Sequence, residues 1–463
     1  MKKYLLLACL ISTGFFAKAQ LYNYVNEASL SGSTFYSCLA TNSGYVFAGS
    51  ATNPAFESHL FFARTTTSGT VQQMRSFTSG GSDFACVIQT TDGKYGYYGT
   101  DINSSTFIGS LVLLKLDIVG NYIITKTYSD PDYSFTAKKM VQDAQGNFYL
   151  LATAFNNQTF QSSLCLIVTD PSGNITSQKL FSPGFSMDAM DIISTSGNGL
   201  LLTGYASNGA SIENIVLIKL NSSLNIDWSK WFSDASIRYF HYDIKEKVSG
   251  NFVLCGRYDD TVNPYSTLIM EIDNAGNQVW AKKYPSVDST SNHGYSLVLT
   301  SSGAAVVGGG IDTAPGLGPV LAISVDAGNG NLNWSKSINT GATQEIIYEM
   351  QLTSGGEIIA CGSRNGKGTI HKVNDLFDNC ADQSYPVAAS AVTLSLSPIN
   401  PVATSAALVA GNWTATVVTH TTIADACFGI GVNEVNTDAA FLLYPNPVKD
   451  LININSELAA SEI

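Results

Sequence analysis

The stretch LVLLKLDIVGNYIITKTY (111–128) decides the fold, because it reads as two strands joined by a tight turn. Branched and alternating apolar residues favour extended structure, and Val-Gly-Asn at its centre supplies the turn. Related phrases recur at 166–181, 216–232, 268–284 and, more weakly, 321–338. The hairpin is therefore a repeating unit, and the rest of the sequence is interpreted around it.

A second phrase precedes each hairpin, and consists of a Gly-containing turn and a short apolar run that ends in a small residue. This small residue recurs seven times at intervals of 50 to 53 residues, as Gly49, Gly99, Ala152, Gly204, Gly256, Gly309 and Gly362. Each unit carries four strand-like runs, which we term strands A to D, and no helical periodicity. Seven such units predict an all-β fold, a seven-bladed β-propeller of four-stranded blades.

The two ends of the repeat region complement each other. The seventh unit has strands A to C, the last at 368–373, but no convincing strand D. Residues 21–34 lie where every other unit has a strand D that leads into strand A. We therefore predict that an N-terminal strand completes the last blade and closes the ring, which also covers an exposed sheet edge.

The segment 381–427 does not follow the repeat. It contains two Thr-, Val- and Ser-rich runs, at 391–397 and 412–423, which predict a strand pair and hence a small β appendage. Cys380 and Cys427 bracket the segment and are the best candidates for a disulfide. The predicted boundaries are a signal peptide at 1–19, the propeller at 20–380, the appendage at 381–427, a linker at 428–441 and the start of a further domain at 442–463.

The N-terminus predicts export. Two lysines precede an apolar run over 4–16, and Ala-Lys-Ala at 17–19 matches a cleavage site between Ala19 and Gln20. The run is too short to span a bilayer. A lipoprotein acylated at Cys9 is the alternative, but it would leave almost no apolar segment. No later stretch is long and apolar enough to predict a membrane span.

Composition narrows the class of partner. Only 13% of residues are charged, and the net charge is −12. Nucleic-acid phosphates would be repelled, so we expect no nucleic-acid partner. The sequence contains no P-loop, dinucleotide fingerprint or nucleophile elbow, and no metal-ligand spacing of His or Cys. We expect no cofactor, no metal and a monomer.

The longer connections predict which face binds a ligand. In a propeller the B–C and D–A loops share one face, here called the loop face. The A–B and C–D turns share the other, here called the turn face. The B–C loops are long and variable, for example at 101–110, 258–266 and 311–319. Binding residues concentrate on variable loops, so we expect the ligand at the loop face.

Five polar residues near that face are candidate ligand-binding residues. His241, Asp243 and His293 lie close to the start of strand A in units five and six, and Asp259 and Asp260 begin a B–C loop. The alternative, which we favour, is that they are ordinary polar loop residues, because two histidines without an acidic pair are a weak signal. No catalytic residue is predicted.

Two resemblances accompany these patterns. The repeats QDAQGNFYLLAT (142–153) and VLIKLNSSLNIDWSKW (216–231) resemble bacterial β-propeller repeats of large exported proteins. This resemblance covers 21–380; it implies the fold and says almost nothing about function.

The C-terminal residues resemble a secretion signal. Tyr444-Pro445-Asn446-Pro447, followed by Lys449-Asp450 and an alternating ININ run, resembles the C-terminal sorting domain of the type IX secretion system in Bacteroidetes. The resemblance implies a role for the type IX secretion machinery, and release or attachment at the outer-membrane surface. The family's domain is several times longer, so the sequence is either a fragment or carries a defective signal.

Two functions follow as hypotheses. The first is an exported, non-enzymatic propeller at the cell surface or in the medium, binding a glycan or a protein through its loop face. The alternative is an exported hydrolase or lyase that acts on polysaccharide or peptide at the mouth of the channel. Paired carboxylates or a His/Asp pair at that mouth would favour the enzyme. A mouth lined by Ser, Asn and aromatic residues would favour the binding protein. A scaffold used only for display remains a third hypothesis.

Overall fold

The chain folds as a seven-bladed, all-β propeller of antiparallel sheets, as predicted. The computed structural model describes residues 23–26, 30–55, 57–78, 84–207, 213–233, 237–260, 264–313, 316–339, 344–378, 382–399, 401–404, 408–411, 416–419, 423–425, 441–444 and 453–456. The predicted signal peptide with Ala19 and Gln20, the cysteine pair Cys380 and Cys427, and Pro445 to Pro447 lie outside these residues.

Blades 1 to 4 follow a short first strand. In chain order, the strands are β1 (Asn23–Asn26); β2 (Gly32–Thr41), β3 (Gly44–Thr52), β4 (Ser58–Thr65) and β5 (Val71–Thr78) in blade 1; β6 (Ala85–Gln89), β7 (Tyr95–Ile102), β8 (Gly109–Leu116) and β9 (Tyr122–Ser129) in blade 2; β10 (Tyr133–Gln142), β11 (Phe148–Asn156), β12 (Ser162–Thr169) and β13 (Ile175–Ser182) in blade 3; and β14 (Ser186–Ser194), β15 (Leu200–Ser207), β16 (Glu213–Leu220) and β17 (Ile226–Ser233) in blade 4.

Blades 5 to 7 and the C-terminal strands complete the chain. They are β18 (Arg238–Glu246), β19 (Phe252–Asp259), β20 (Ser266–Ile272) and β21 (Gln278–Tyr284) in blade 5; β22 (Ser291–Leu299), β23 (Ala304–Thr313), β24 (Gly316–Asp326) and β25 (Leu332–Ile338) in blade 6; β26 (Glu345–Leu352), β27 (Ile358–Arg364) and β28 (Lys367–Val373) in blade 7; then β29 (Asp382–Ser384), β30 (Ser390–Ala391), β31 (Ser395–Pro398), β32 (Val402–Thr404), β33 (Val409–Gly411), β34 (Thr416–Thr419), β35 (Ile423–Asp425), β36 (Phe441–Tyr444) and β37 (Asn453–Ser456).

The ring closes as the sequence predicts. Strand β1 pairs antiparallel with β28, with Tyr24 opposite Ile370. The N-terminal strand is thus strand D of blade 7, and the chain ends are tied together in one sheet. The closing contact is also apolar, because Phe35 of blade 1 and Ile359 of blade 7 belong to one buried cluster.

The core lies between blades rather than within one layer. Seven buried clusters each draw on two neighbouring blades, and together they run round the whole ring. Strands B and C supply most of these side chains, because both of their faces are covered and their sequences are nearly continuous apolar runs. Burial of such faces is the main stabilising contribution to the fold.

The repeated small residue has a steric cause. Opposite this residue, strand A has a bulge, which is one extra residue without a partner in strand B. A backbone carbonyl of strand A lies directly over the glycine. A Cβ at Gly49, Gly309 or Gly362 would lie 1.8, 1.9 or 1.8 Å from that carbonyl oxygen. In blade 3, Ala152 is accepted because the irregularity in β10 spans two residues there instead of one.

The segment after the propeller forms a strap round the outside of the ring. Its seven short strands, β29 to β35, each add a fifth strand to a different blade, in the order 6, 5, 4, 3, 2, 1 and 7. We call residues 382–425 the outer strap. Its last strand pairs with β1, so the closing strand is held between β28 and β35.

The outer strap corrects the predicted strand pair. The run at 391–397 contributes to β30 and β31, which pair with blades 5 and 4, and β34 from the second run pairs with blade 1. The described strands of the two runs pair with different blades and not with each other. Strand D of each blade leaves an unpaired edge, which any short Thr- or Val-rich segment can satisfy, and the local pattern does not specify which edge.

The described cysteines 38, 86, 165, 255 and 361 are buried free thiols. Strands β36 and β37, from the predicted sorting region, form an antiparallel pair with Tyr444 opposite Asn453. No helix in the described part of the chain has the length and apolar character needed to cross a membrane.

Candidate binding site

The irregular residue in strand A points aromatic rings into the central channel. Tyr36, Tyr242, Tyr295 and Tyr348 occupy this place in blades 1, 5, 6 and 7. Ring centroids of neighbours lie 4.4 Å apart for Tyr242 and Tyr295, and 5.3 Å apart for Tyr295 and Tyr348. Tyr36 also stacks on Phe84, at 5.1 Å. A bulge re-aims a side chain, and here it builds a nearly continuous aromatic lining.

The residue after each bulge joins one blade to the next. The side-chain oxygens of Ser37, Asp191 and Ser296 accept hydrogen bonds from backbone N–H groups of the following blade at 3.0 to 3.2 Å. Asp243 does the same, accepting from Leu297 N at 2.8 Å. Buried polar groups of this kind are satisfied and fix the relative position of the blades.

The structure therefore places Asp243 in the channel wall. Its carboxylate accepts from Ser296 Oγ at 2.7 Å and pairs with Lys245. Burial alone would raise its pKa, but the charges of Lys245 and Lys139 lower the pKa of Asp243. Beside it, burial and the charge of Asp243 raise the pKa of Asp191. With its partners in the wall, Asp243 has a structural role here, and ligand binding by it stays a prediction.

One ion pair crosses the channel. Lys139 of blade 3 pairs with Glu349 of blade 7, and these blades are not neighbours. Both side chains are largely buried, with 17% and 13% of their surface exposed. Because these blades are not neighbours, the pair spans the space that the ring encloses.

At the loop face of blades 5 and 6 a different cluster is present, centred on Arg257. The guanidinium carbon of Arg257 lies 4.0 Å from the ring centroid of Phe240 and 4.6 Å from that of Tyr265. Its Nη2 lies 3.5 Å from a carboxylate oxygen of Asp259. Its buried Nε has no hydrogen-bond partner among the described residues. The aromatic contacts hold the cation in place while leaving its Nε donor without a partner in the described structure.

His293 lies beside this cation. Its ring contacts those of Tyr265 and Tyr295, at 5.8 and 4.8 Å between centroids. The residue is 4% exposed, and neither ring nitrogen has a hydrogen-bond partner within the described ranges. Burial, with the charge of Arg257 in addition, lowers the pKa of His293 to about 3. The imidazole is therefore neutral at any ordinary pH.

A carboxylate completes the cluster on the blade 6 side. Asp312, near the end of β23, has one buried oxygen without a hydrogen-bond partner in the described part of the chain. Burial raises the pKa of Asp312, and the charge of Arg257 opposes that rise. We call Arg257, His293, Tyr265 and Asp312 the Arg257 site. Buried polar atoms without partners are rare in folded proteins, and a ligand is one way to satisfy them.

The candidates named from sequence are partly brought together here. His293 and Asp259 flank Arg257, and Asp260 directly follows β19 at a half-buried position. The main chain of His241 pairs with Gly256, but its side chain lies outside the described structure. Asp243 lies deeper in the wall.

Sequence reasoning missed Arg257, although a signal was present. It directly follows the small repeat residue of unit five, where the other units have Ser, Thr, Tyr or Gly. The other six units show that packing does not require a charged residue at this position. A single charged residue there therefore indicates a role other than packing. Comparison of the repeats with each other would have singled it out.

A recess opens at the turn face, away from the Arg257 site. It has a volume of about 380 Å³ and is lined by residues of blades 2, 3 and 4: Ile88, Gln89, Thr91, Met140, Val141, Gln142, Ile193 and Ser194. No charged side chain is among them. Within the described residues, no group of three His, Cys, Asp or Glu side chains is arranged to hold a metal ion. The Arg257 site is therefore the better candidate for specific recognition.

Titration of His293 gives a first testable prediction. Its folded-state pKa of about 3 lies below the ordinary 6.5, so the unfolded state binds the proton more readily. Its stabilising contribution is complete above pH 6.5 and is lost as the pH falls toward 3. Relative to a His293→Gln variant, the wild type should lose roughly 1.4 kcal/mol of unfolding free energy per pH unit between pH 6 and 4. Urea unfolding of both proteins across that range would measure it, and parallel pH profiles would contradict it.

Comparison with known proteins supports the fold. No known family profile matches the sequence, and no curated protein sequence matches it significantly. Among solved structures, the chain is similar to polysaccharide lyase Uly1, with a TM-score of 0.51, 8% identity, and coverage of 73% of this chain and 89% of that one. It is also similar to a protein of unknown function from Dyadobacter fermentans, with a TM-score of 0.49, 12% identity, and coverage of 77% and 99%.

A third similar structure is the GH93 α-L-arabinofuranosidase of Fusarium graminearum. Its TM-score is 0.48 and its identity 10%, with coverage of 63% of this chain and 93% of that chain. At 8% identity, the likeness to Uly1 concerns the fold alone.

Proposed function

We propose that the protein is an exported propeller that binds an acidic glycan, through the carboxylates of its sugar units, at the Arg257 site. The observation that carries the proposal is the Arg257 guanidinium, held against Phe240 and Tyr265 with a buried donor still unpaired. A guanidinium offers parallel donors to a carboxylate, and such charge-assisted bonds are stronger than neutral ones. Aromatic rings beside it suit the apolar face of a sugar ring.

Export is the part of the proposal that rests on sequence. The predicted signal peptide at 1–19 and the sorting motif at Tyr444 to Pro447 support secretion to the cell surface or the medium. The low proportion of charged residues is in keeping with this location. A chain carrying these segments would meet polysaccharides outside the cell, where acidic sugars are common.

A cleaving enzyme is the second candidate, and one observation favours it. His293 is neutral and lies beside Arg257, which lowers its pKa. A sugar carboxylate bound to Arg257 would offset the positive charge that helps to lower this pKa. The imidazole could then take the C–H proton next to the carboxylate while the β carbon–oxygen bond breaks and the departing oxygen takes up a proton from water, which is the β-elimination of a lyase. The binding proposal needs only Arg257, whereas the lyase proposal also needs His293.

The two proposals are separated by one set of measurements. The probes are oligogalacturonate, oligoglucuronate and oligomannuronate, each paired with the same oligosaccharide after reduction of its carboxyl groups to alcohols. We expect calorimetry to detect binding of at least one acidic probe and not of its reduced partner, with no product over hours. Equal binding of both partners would contradict the carboxylate proposal. The appearance of the ultraviolet absorbance of an unsaturated uronate would show that the glycan is cleaved by elimination. The lyase proposal would then replace the binding proposal.

A further inference from the structure

Blades 2 and 3 carry matching B–C loops on the loop face. In each, an Asn begins the loop, and its backbone N–H donates to the carbonyl that ends it: Asn103 to Ile108 at 3.0 Å, and Asn156 to Gln161 at 2.9 Å. Each Asn side chain also accepts from two backbone N–H groups inside its loop. The two loops therefore have one defined shape, repeated in adjacent blades.

Each loop presents a phenylalanine to solvent. Phe107 and Phe160 are 79% and 72% exposed, and both have a φ of +57°. A bulky residue rarely adopts this left-handed conformation, which costs about 1 kcal/mol or more relative to glycine. Neither exposure nor backbone strain stabilises the fold. Two exposed aromatic residues at the same loop position of adjacent blades suit a binding surface.

The D–A connection between β9 of blade 2 and β10 of blade 3, together with the start of β10, joins the two loops into one surface. Ser134 Oγ accepts from Gly109 N, at the end of the first loop, at 2.9 Å. The carbonyl of Asp132 accepts from Asn157 N at 2.9 Å, and its carboxylate accepts from Gln158 Nε2 at 3.0 Å. Phe107 and Phe160 thus stand on either side of one short connection, on a shared support.

The surroundings of the rings indicate the kind of partner. Loop residues 103–108 and 156–161 contain Asn, Gln, Ser and Thr and no Lys or Arg. An anionic membrane surface would select basic residues, and a protein interface would have a continuous apolar centre. The ring of Phe160 contacts that of Phe155, at 6.2 Å between centroids. Aromatic rings among amides and hydroxyls suit sugars, because a pyranose offers C–H bonds on its face and hydroxyls round its edge.

We propose that Phe107 and Phe160 form a second saccharide site, the aromatic platform, which binds neutral pyranose units by stacking. It deepens the proposed function and rests on the glycan-binding part of it, but does not require Arg257. Blade 1 has an Asn-led loop that is one residue shorter, where Asn53 N donates to Glu57 O at 3.0 Å. Phe56 stands in that loop in the sequence, outside the described residues.

The test uses neutral probes, so that it is independent of the Arg257 site. Cellohexaose, xylohexaose and mannohexaose would be titrated into the full-length protein and into a Phe107→Asn/Phe160→Asn double variant. An Ile118→Asn/Val119→Asn variant is the matched control, since it removes two exposed apolar side chains from the turn face. We expect at least one probe to bind, and its affinity to fall about tenfold or more in the double variant only.

Thermal unfolding supplies the second readout. Asn accepts a positive φ more readily than Phe, so the double variant should unfold at the same temperature as the wild type or above it. Loss of binding without loss of stability would then assign the rings to recognition. Equal affinity in wild type and double variant would overturn the platform, and so would failure of all three probes to bind at millimolar concentration. Either result would leave acidic binding at Arg257 unaffected.

Discussion

A chain shortened to end at Asp378 is expected to unfold at a much lower temperature than the full chain and to aggregate. The truncation removes the outer strap, which pairs with the outer strand of all seven blades. Seven strand edges would then be exposed, and exposed edges template association between chains. The effect should be among the largest available in this protein, because it acts on every blade at once.

The outer strap also contributes to the core. Its apolar side chains enter the clusters between blades: Tyr385, Val387, Leu394, Ile399 and Leu408 are all less than 9% exposed. Burial of each such side chain contributes about 2 kcal/mol, and the truncation removes this contribution at five places round the ring.

A matched truncation separates the outer strap from the tail. A chain that ends at Asp425 keeps β29 to β35 and loses only the residues beyond them. We expect this chain to unfold within a few degrees of the full protein in scanning calorimetry. A full-length Leu394→Ala/Ile399→Ala/Leu408→Ala variant should lose roughly 6 kcal/mol if the shorter chain fails to fold. Similar unfolding temperatures for both truncations would refute the role assigned to the strap.

Gly204→Ala is expected to destabilise the protein by about 3 kcal/mol or more, although it adds one methyl group. A Cβ at this position would lie 2.1 Å from the carbonyl oxygen of Asp188. Both groups are backbone atoms of paired strands, so neither can move without disturbing the irregularity of β14 and the channel lining that it positions.

Gly197→Ala is the natural control for this prediction. A Cβ at Gly197 meets nothing within 4 Å, so this change should be neutral or slightly stabilising. Chemical unfolding of the two variants beside the wild type measures the difference. A loss below about 1 kcal/mol in Gly204→Ala would mean that the strand A irregularity yields easily, and that the glycine has another cause.

The sequence predicts the propeller well because its signal is periodic. The regular spacing of the small residue from Gly49 to Gly362 reflects the strand A carbonyl that lies over it in blades 1, 4, 6 and 7, so one steric requirement recurs along the sequence. The N-terminal closing strand follows from the same count. Beyond the last repeat, the sequence predicts the structure less well. The outer strap has no repeat of its own, and its pairing partners lie far away in sequence.

The site is less predictable for a related reason. Whether a strand A residue faces the channel or the neighbouring blade depends on the bulge, which shifts the alternation by one residue. Asp243 therefore reads as a loop-face residue in the sequence and lies in the wall in the structure. His293 was found from its residue type and position, whereas Arg257 becomes visible only when it is compared with the same position in the other repeats.

The most direct test of the account is calorimetric titration of an acidic oligosaccharide, and of its carboxyl-reduced form, into Arg257→Met and Arg64→Met variants. Arg64 lies near the turn-face end of β4, so its variant removes the same charge away from the site. The account predicts that Arg257→Met weakens acidic binding about 10- to 100-fold, while Arg64→Met leaves it unchanged. Unchanged affinity for the acidic oligosaccharide in Arg257→Met would contradict the central claim that this arginine recognises a sugar carboxylate.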